Sequence, residues 1–239
     1  MNEQEILQCL SDQRQELQLY ESEEFIERKE CSLIDLDSRL AQVVTGVRRS
    51  GKSTLCHMAL QNKKVEYGYV NFDDDRLADL KVRDLNIVLT CIYRIYGSDI
   101  KYFFFDEIQN VDGWHLFVSR LLRQGHRILI TGSNAKLLSS ELSTHLTGRY
   151  NEIKLYPFSF KDYCHQRGVD TKDICTKNLA NLKNALDSYL IEGGFPELSA
   201  IKNKRGYIDG LVNTIINKDI SLRYRIRNIE GLKTLANHL

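Results

Sequence analysis

Between Gly46 and Ser53 the chain reads Gly-Val-Arg-Arg-Ser-Gly-Lys-Ser. Few eight-residue patterns constrain a fold as strongly. Both glycines, the lysine and the serine fill the fixed positions of a G-x-x-x-x-G-K-[ST] phosphate loop. Such a loop works between a strand and a helix, because a concavity of backbone N–H groups must lie in front of a helix N-terminus with its partial positive charge. The flanking residues supply both. Ala41, Val43 and Val44 are strand formers that stop at Thr45 and Gly46, and Gly51 to Gln61 reads as a helix with Leu55, Met58 and Ala59 on one face. Gly46 and Gly51 are expected to allow backbone angles and a phosphate approach that a Cβ would obstruct. Lys52 brings a point charge to the β- and γ-phosphates, and the Ser53 hydroxyl is a candidate ligand for Mg²⁺. Thr54 is a candidate partner of the α-phosphate. The cradle is thus Gly46, Val47, Arg48, Arg49, Ser50, Gly51, Lys52, Ser53 and Thr54. Arg48 and Arg49 sit at variable positions, open to phosphate, a neighbour or solvent.

Beyond the loop, strand and helix patterns alternate. Val65 to Phe72, Lys101 to Phe105, Arg127 to Thr131 and Tyr150 to Leu155 read as strands. Leu77 to Ile95, Trp114 to Gln124 and Leu137 to Leu146 read as the helices between them. This alternation predicts an α/β fold with a five-stranded parallel sheet covered on both faces. Ahead of it, Ile6, Leu10, Leu17 and Tyr20 recur at near-helical spacing, so Glu3 to about Glu24 reads as an amphipathic helix. After Pro157, Phe158 to Gln166 and Leu179 to Ile191 look helical, with a break at Gly193 to Pro196. The expected divisions are residues 1–30, an N-terminal helical segment; 31–157, the ATPase core; and 158–239, a helical lid or start of an incomplete C-terminal domain.

A phosphate loop alone does not separate kinase, GTPase and ATPase. Tyr102-Phe-Phe-Phe-Asp106-Glu107 narrows the choice. An apolar strand ending in two acids is expected beside the strand that leads into the loop, so that Asp106 holds Mg²⁺ through its water shell. Glu107 is then the candidate base for the attacking water. A glutamate in that place favours ATP hydrolysis over small-molecule phosphorylation. Ser133 and Asn134, after the strand Arg127 to Thr131, are candidates to sense the γ-phosphate or position water; a turn or helix cap is the alternative. Arg149 is a candidate to neutralise charge on the transferred phosphoryl group, in cis or from a neighbouring subunit, with a helix C-cap as the alternative. Asp73 to Asp75 is expected to be a solvated turn, with a place facing the nucleotide crevice as the alternative, Trp114 core, and His57 a packed or exposed histidine.

Composition excludes other classes. A hydrophobic fraction of 42% argues against wholesale disorder. No apolar run approaches the roughly 18 residues of a membrane span, and the N-terminus lacks the basic and apolar regions of a secretory signal. The expectation is a cytoplasmic protein without a membrane partner. Six cysteines show neither C-x-x-C spacing nor a zinc pattern and are expected to be reduced, mostly buried thiols. Residues 1–40 carry eleven acids against four bases, and residues 201–239 eight bases against three acids. The basic stretch from Lys202 to Lys233 is a candidate footprint for DNA or a protein, with a solvated helix face as the alternative.

Several segments together, TGVRRSGKST, YVNFDDDRL, FFFDEIQNVDGW, ILITGSNAKLLSSEL, LTGRY, LYPFSFKDY and EGGFPE, resemble a family of predicted bacterial and archaeal AAA+ ATPases. Those proteins carry an AAA-type core followed by a C-terminal domain of unknown function. The likeness runs from about residue 25 to the end. It implies a P-loop NTPase three-layer sandwich with sheet order 5-1-4-3-2 and a smaller helical C-terminal domain. It also implies ATP rather than GTP; Lys52 and Ser53 as nucleotide ligands; Asp106 and Glu107 as the Mg²⁺ and catalytic acids; Ser133 or Asn134 as first sensor; and Arg149 as arginine finger, with homo-oligomers in prospect. Relatives of this kind run well past Asp219 to Asn228, so the resemblance implies a shortened chain.

Overall fold

In the computed structural model, β1 (Ala41–Gly46) is buried along its whole length, as a central strand of a parallel sheet must be. The described residues are 2–20, 25–133, 146–173, 175–221, 224 and 226–238. β1 pairs in parallel with β4 (Arg127–Ser133) on one side and β5 (Tyr150–Leu155) on the other. β3 (Tyr102–Asp106) pairs with β4 and with β2 (Tyr67–Asn71). The order is β2-β3-β4-β1-β5, which is 5-1-4-3-2 read from the other edge. β4 therefore lies between β3 and β1. This corrects the expectation that the acid-tipped strand adjoins the strand leading into the loop.

Alternation along the strands sorts the core into two layers, because successive strand side chains point to opposite faces. Val43, Phe103, Phe105, Ile128 and Ile130 join one cluster with Ile6 and Leu10 of α1 (Glu3–Tyr20), Val88 and Ile92 of α3 (Leu85–Tyr96) and Phe117 and Leu121 of α4 (Trp114–Arg123). Val44, Phe104, Leu129 and Ile153 join the other with Leu55, Cys56 and Leu60 of α2 (Lys52–Lys63). The Phe103-Phe104-Phe105 run thus anchors both layers. Each fully buried ring contributes about 1.5–3 kcal/mol. Trp114 is in the first cluster, and His57, 3% exposed, lies edge-on to Phe104 and Tyr69.

The stretch from Leu77 to Ile95 is mainly helical, as expected, but not as one helix. Single 3₁₀ turns occupy Asp75–Leu77 and Val82–Asp84, and α3 starts only at Leu85. Carboxylates compete with the helix: Asp74 accepts from the Arg76 N–H, and Asp84 accepts from the Lys81 N–H. Nor is Asp73 to Asp75 simply a solvated turn. The Asp74 side chain is 11% exposed and accepts from Gln13, Arg76 and the Cys9 thiol. The expected helix Leu137 to Leu146 falls largely on residues 137–145, outside those described.

The chain divides into two compact units, residues 1–46 with 52–155 and residues 47–51 with 156–239. In the second, α5 (Phe160–Gln166) starts at a capping box of Ser159 and Asp162 and packs on α6 (Thr176–Glu192) through Tyr163, Cys164 and Ala185. Gly194 follows, where a Cβ would lie 2.2 Å from the Phe158 carbonyl oxygen. α7 (Lys204–Thr214), a π-helical turn Ile215–Ser221 and α8 (Ile229–His238) complete the chain.

Candidate functional site

The loop after β1 has the backbone its sequence requires. Gly51 has φ +91° and Arg49 φ +64°, both left-handed. Gly46, in contrast, is still strand, so positive φ is not the reason for glycine there. The Ser50 N–H donates to the Val47 carbonyl at 3.3 Å, tightening the turn. Val47 and Arg48 are half-buried, and the exposed Arg49 guanidinium pairs with Glu197 at 2.9 Å. Tyr207 donates to the other Glu197 oxygen at 2.9 Å. Glu197, from the EGGFPE segment, is a loop partner that sequence reasoning missed.

At the head of α2, Lys52 is 6% exposed and its Nζ lies 3.8 Å from Glu107 Oε1. The neighbouring Ser53 hydroxyl lies close enough to the Asp106 carboxylate to favour its charged form. Asp106 reaches it across the intervening strand by way of Thr131 of β4, whose hydroxyl donates to Asp106 Oδ1 and accepts from the Glu107 N–H at 3.2 Å. Thr131 is a second residue that sequence reasoning missed. Its signal was a single hydroxyl at the end of the apolar run Ile128-Leu129-Ile130.

Burial pushes the Asp106 carboxyl up to about 6, and the nearby Glu107 charge adds to that; Thr131, Ser53 and Lys52 pull the other way. A desolvated carboxylate beside a hydroxyl is an oxygen pair suited to a small hard cation. Mg²⁺ keeps most of its waters and takes one or two protein oxygens. Ser53 and Asp106 therefore fit that ion.

Glu107 itself has φ +54° and ψ +35°, a left-handed conformation disfavoured for a residue with a side chain. It turns the chain sharply at the end of β3. Ser133 closes β4 in register with Gly46; it is 2% exposed, and its Oγ has no hydrogen-bond partner among the described residues. The Ser50 Oγ is likewise buried and unpartnered. Buried hydroxyls are seldom left so. Thr54 is half-buried on α2. Asn134 lies outside the described residues.

Arg149 is not with the others. Its carbonyl accepts from the Ala41 N–H, at the start of β1, and its side chain is exposed. All strands run the same way, so Arg149 is at the opposite end of the sheet from Gly46. Five strand residues separate the two ends, about 16 Å. The reading of Arg149 as a partner of its own chain's phosphate loop is thereby overturned.

A family model described as an AAA domain matches residues 38–164. An uncharacterized protein of Methanocaldococcus jannaschii is 36% identical over 207 residues, covering 83% of this chain and 46% of that protein. Another from Haemophilus influenzae is 35% identical over 211 residues, covering 83% and 50%. The chain thus spans about half the length of these curated relatives. Among solved structures, the Walker-type ATPase of Pyrococcus abyssi has a TM-score of 0.44 at 16% identity, covering 90% of this chain and 74% of that one. The RuvB Holliday junction branch migration motor of Thermotoga maritima has a TM-score of 0.44 at 18% identity, covering 80% and 63%.

Proposed function

This chain belongs to the AAA domain family, and from that premise we propose that it binds ATP with Mg²⁺ and hydrolyses it, acting as a switch or motor. One observation carries the reading. Lys52 meets Glu107, some fifty residues downstream, in an ion pair at 3.8 Å, and the next residue, Ser53, lies close enough to Asp106 to favour its charged form. In this proposal Lys52 binds the β- and γ-phosphates, and Ser53 and Asp106 hold Mg²⁺. The ion, when bound, offsets charge on the phosphate oxygens. Glu107 takes the proton of the attacking water. Ser133, with Asn134, senses the γ-phosphate, and the loop residues Gly46 to Thr54 cradle the triphosphate.

A phosphate-release assay on Glu107→Gln tests the reading. We expect turnover to drop at least about 100-fold while nucleotide affinity is kept. Equal turnover in wild type and variant would remove Glu107 from the chemistry and the hydrolase reading with it.

A second reading, ATP binding with little turnover, is favoured by Arg149 lying at the far end of the sheet. On its own the chain then lacks that cation at the phosphates, and a second copy would have to supply it. The exposed Lys202, Arg205 and Arg227 support a DNA or protein partner for the C-terminal basic stretch.

A further inference from the structure

We propose that Gln109 is a positioning residue for hydrolysis, holding Glu107 with one end of its amide and the attacking water with the other. This rests on the ATP-hydrolase reading above. Gln109 sits in the single 3₁₀ turn Ile108–Asn110 that follows Glu107. The left-handed backbone at Glu107 starts that turn, and Ile108 and Val111, both buried, pin it to the core. Gln109 Nε2 donates to Glu107 Oε2, while Lys52 approaches the other oxygen, Oε1. A carboxylate only accepts hydrogen bonds, so it dictates which end of the amide faces it. The carbonyl end of Gln109 therefore points elsewhere.

That carbonyl oxygen is buried and has no hydrogen-bond partner among the described residues. The next side chain differs: Asn110 spends its amide on the Phe72 carbonyl at 3.1 Å and on Asp73 at 3.2 Å. A buried acceptor joined through its own amide to a candidate base suits a ligand that donates, and water has two protons to place. In the step we assign, one water proton passes to Glu107 and the other is donated to Gln109 Oε1. The water oxygen forms its bond to the γ-phosphorus as the bond from that phosphorus to the β–γ bridging oxygen breaks. ADP leaves with the electron pair, and the proton on Glu107 goes on to the released phosphate. Gln109 gains and loses no proton; it fixes direction.

The test is Gln109→Met, which keeps volume and removes both polar ends. The expected result is a kcat lowered roughly 10- to 100-fold, with KM and the affinity for a non-hydrolysable ATP analogue within about two-fold of wild type. In a Glu107→Gln background the same change should add little, because the two residues act as one unit. A kcat within two-fold of wild type, or a full multiplicative loss in that background, overturns the proposal. If thermal melting shows that Gln109→Met does not fold, Gln109→Ala is read by the same criteria. The two failures differ in kind. A silent Glu107→Gln sinks the hydrolase reading and this inference together, whereas a crippled Glu107→Gln beside an unaffected Gln109→Met sinks this inference alone.

Discussion

His57 shows how a titratable side chain can serve packing alone. It is buried between Phe104 and Tyr69, with Nδ1 3.0 Å from the Tyr67 hydroxyl, and burial pushes its pKa down from 6.5 to about 3. The folded protein therefore keeps the ring neutral where the unfolded chain would protonate it. Stability contributed this way is fully present above pH 6.5 and falls as the pH drops from 6.5 toward 3. The slope is at most about 1.4 kcal/mol per pH unit. Replacing His57 by Phe should flatten that part of the acid limb in denaturant titrations at pH 4 to 7. An unchanged slope would show that other groups govern it. At the loop, Arg49 and Glu197 form a pair 60% and 43% exposed, so its energetic worth is small. Its consequence is geometric, holding the guanidinium of a loop residue in one direction.

Elements meet through side chains that act as backbone. Among the described residues β2 is an edge strand, with one row of N–H and C=O groups lacking a neighbouring strand. α1 supplies a substitute at the end of that row. Gln13, 2% exposed, accepts from the Asn71 N–H through Oε1 and donates to the Asn71 carbonyl and to Asp74 through Nε2, each at 3.0 Å. Asn71 is in register with Asp106 on β3, so this cap sits one strand from the candidate site. Gln13→Leu keeps the burial but strands those partners, at a cost of about 1–3 kcal/mol. A melting temperature lower by about 4–8 °C is the expected outcome for a loss near 2 kcal/mol. A variant melting with wild type would mean the edge is satisfied some other way.

At the scale of the whole molecule, Arg149 lies at the N-terminal end of the strands, and the proposed arginine-finger role would place it at the phosphate of another copy. If it does, a non-hydrolysable ATP analogue should raise the native mass to an oligomer, and Arg149→Ala should lose turnover while keeping ATP affinity. A protein that turns ATP over as a strict monomer, indifferent to Arg149→Ala, would rule this out. The proposed DNA footprint in the C-terminal basic stretch is tested separately. Binding of duplex DNA through Lys202 to Lys233 should weaken steeply between 50 and 200 mM salt if several phosphates are neutralised, and a salt-insensitive signal would speak against that footprint.

The sequence by itself determined the local pieces: the phosphate loop, the five strands, the two acids ending β3, the buried Trp114. These are set by neighbours in the chain, through side-chain period and turn chemistry. Arg149 was half legible. It precedes β5, and in an all-parallel sheet every such residue lies away from the loop. Which strand stands between β3 and β1 was implied by the family resemblance and not by the pattern of residues, and only the tertiary structure decided that Thr131 of that strand bridges Asp106 to its neighbours. It alone also decided that Gln13 closes the edge, that Gln109 leans on Glu107, and that Glu197 meets Arg49. Strand order and long-range side-chain pairs follow from how distant segments share one core, and no spacing within a single segment carries that information.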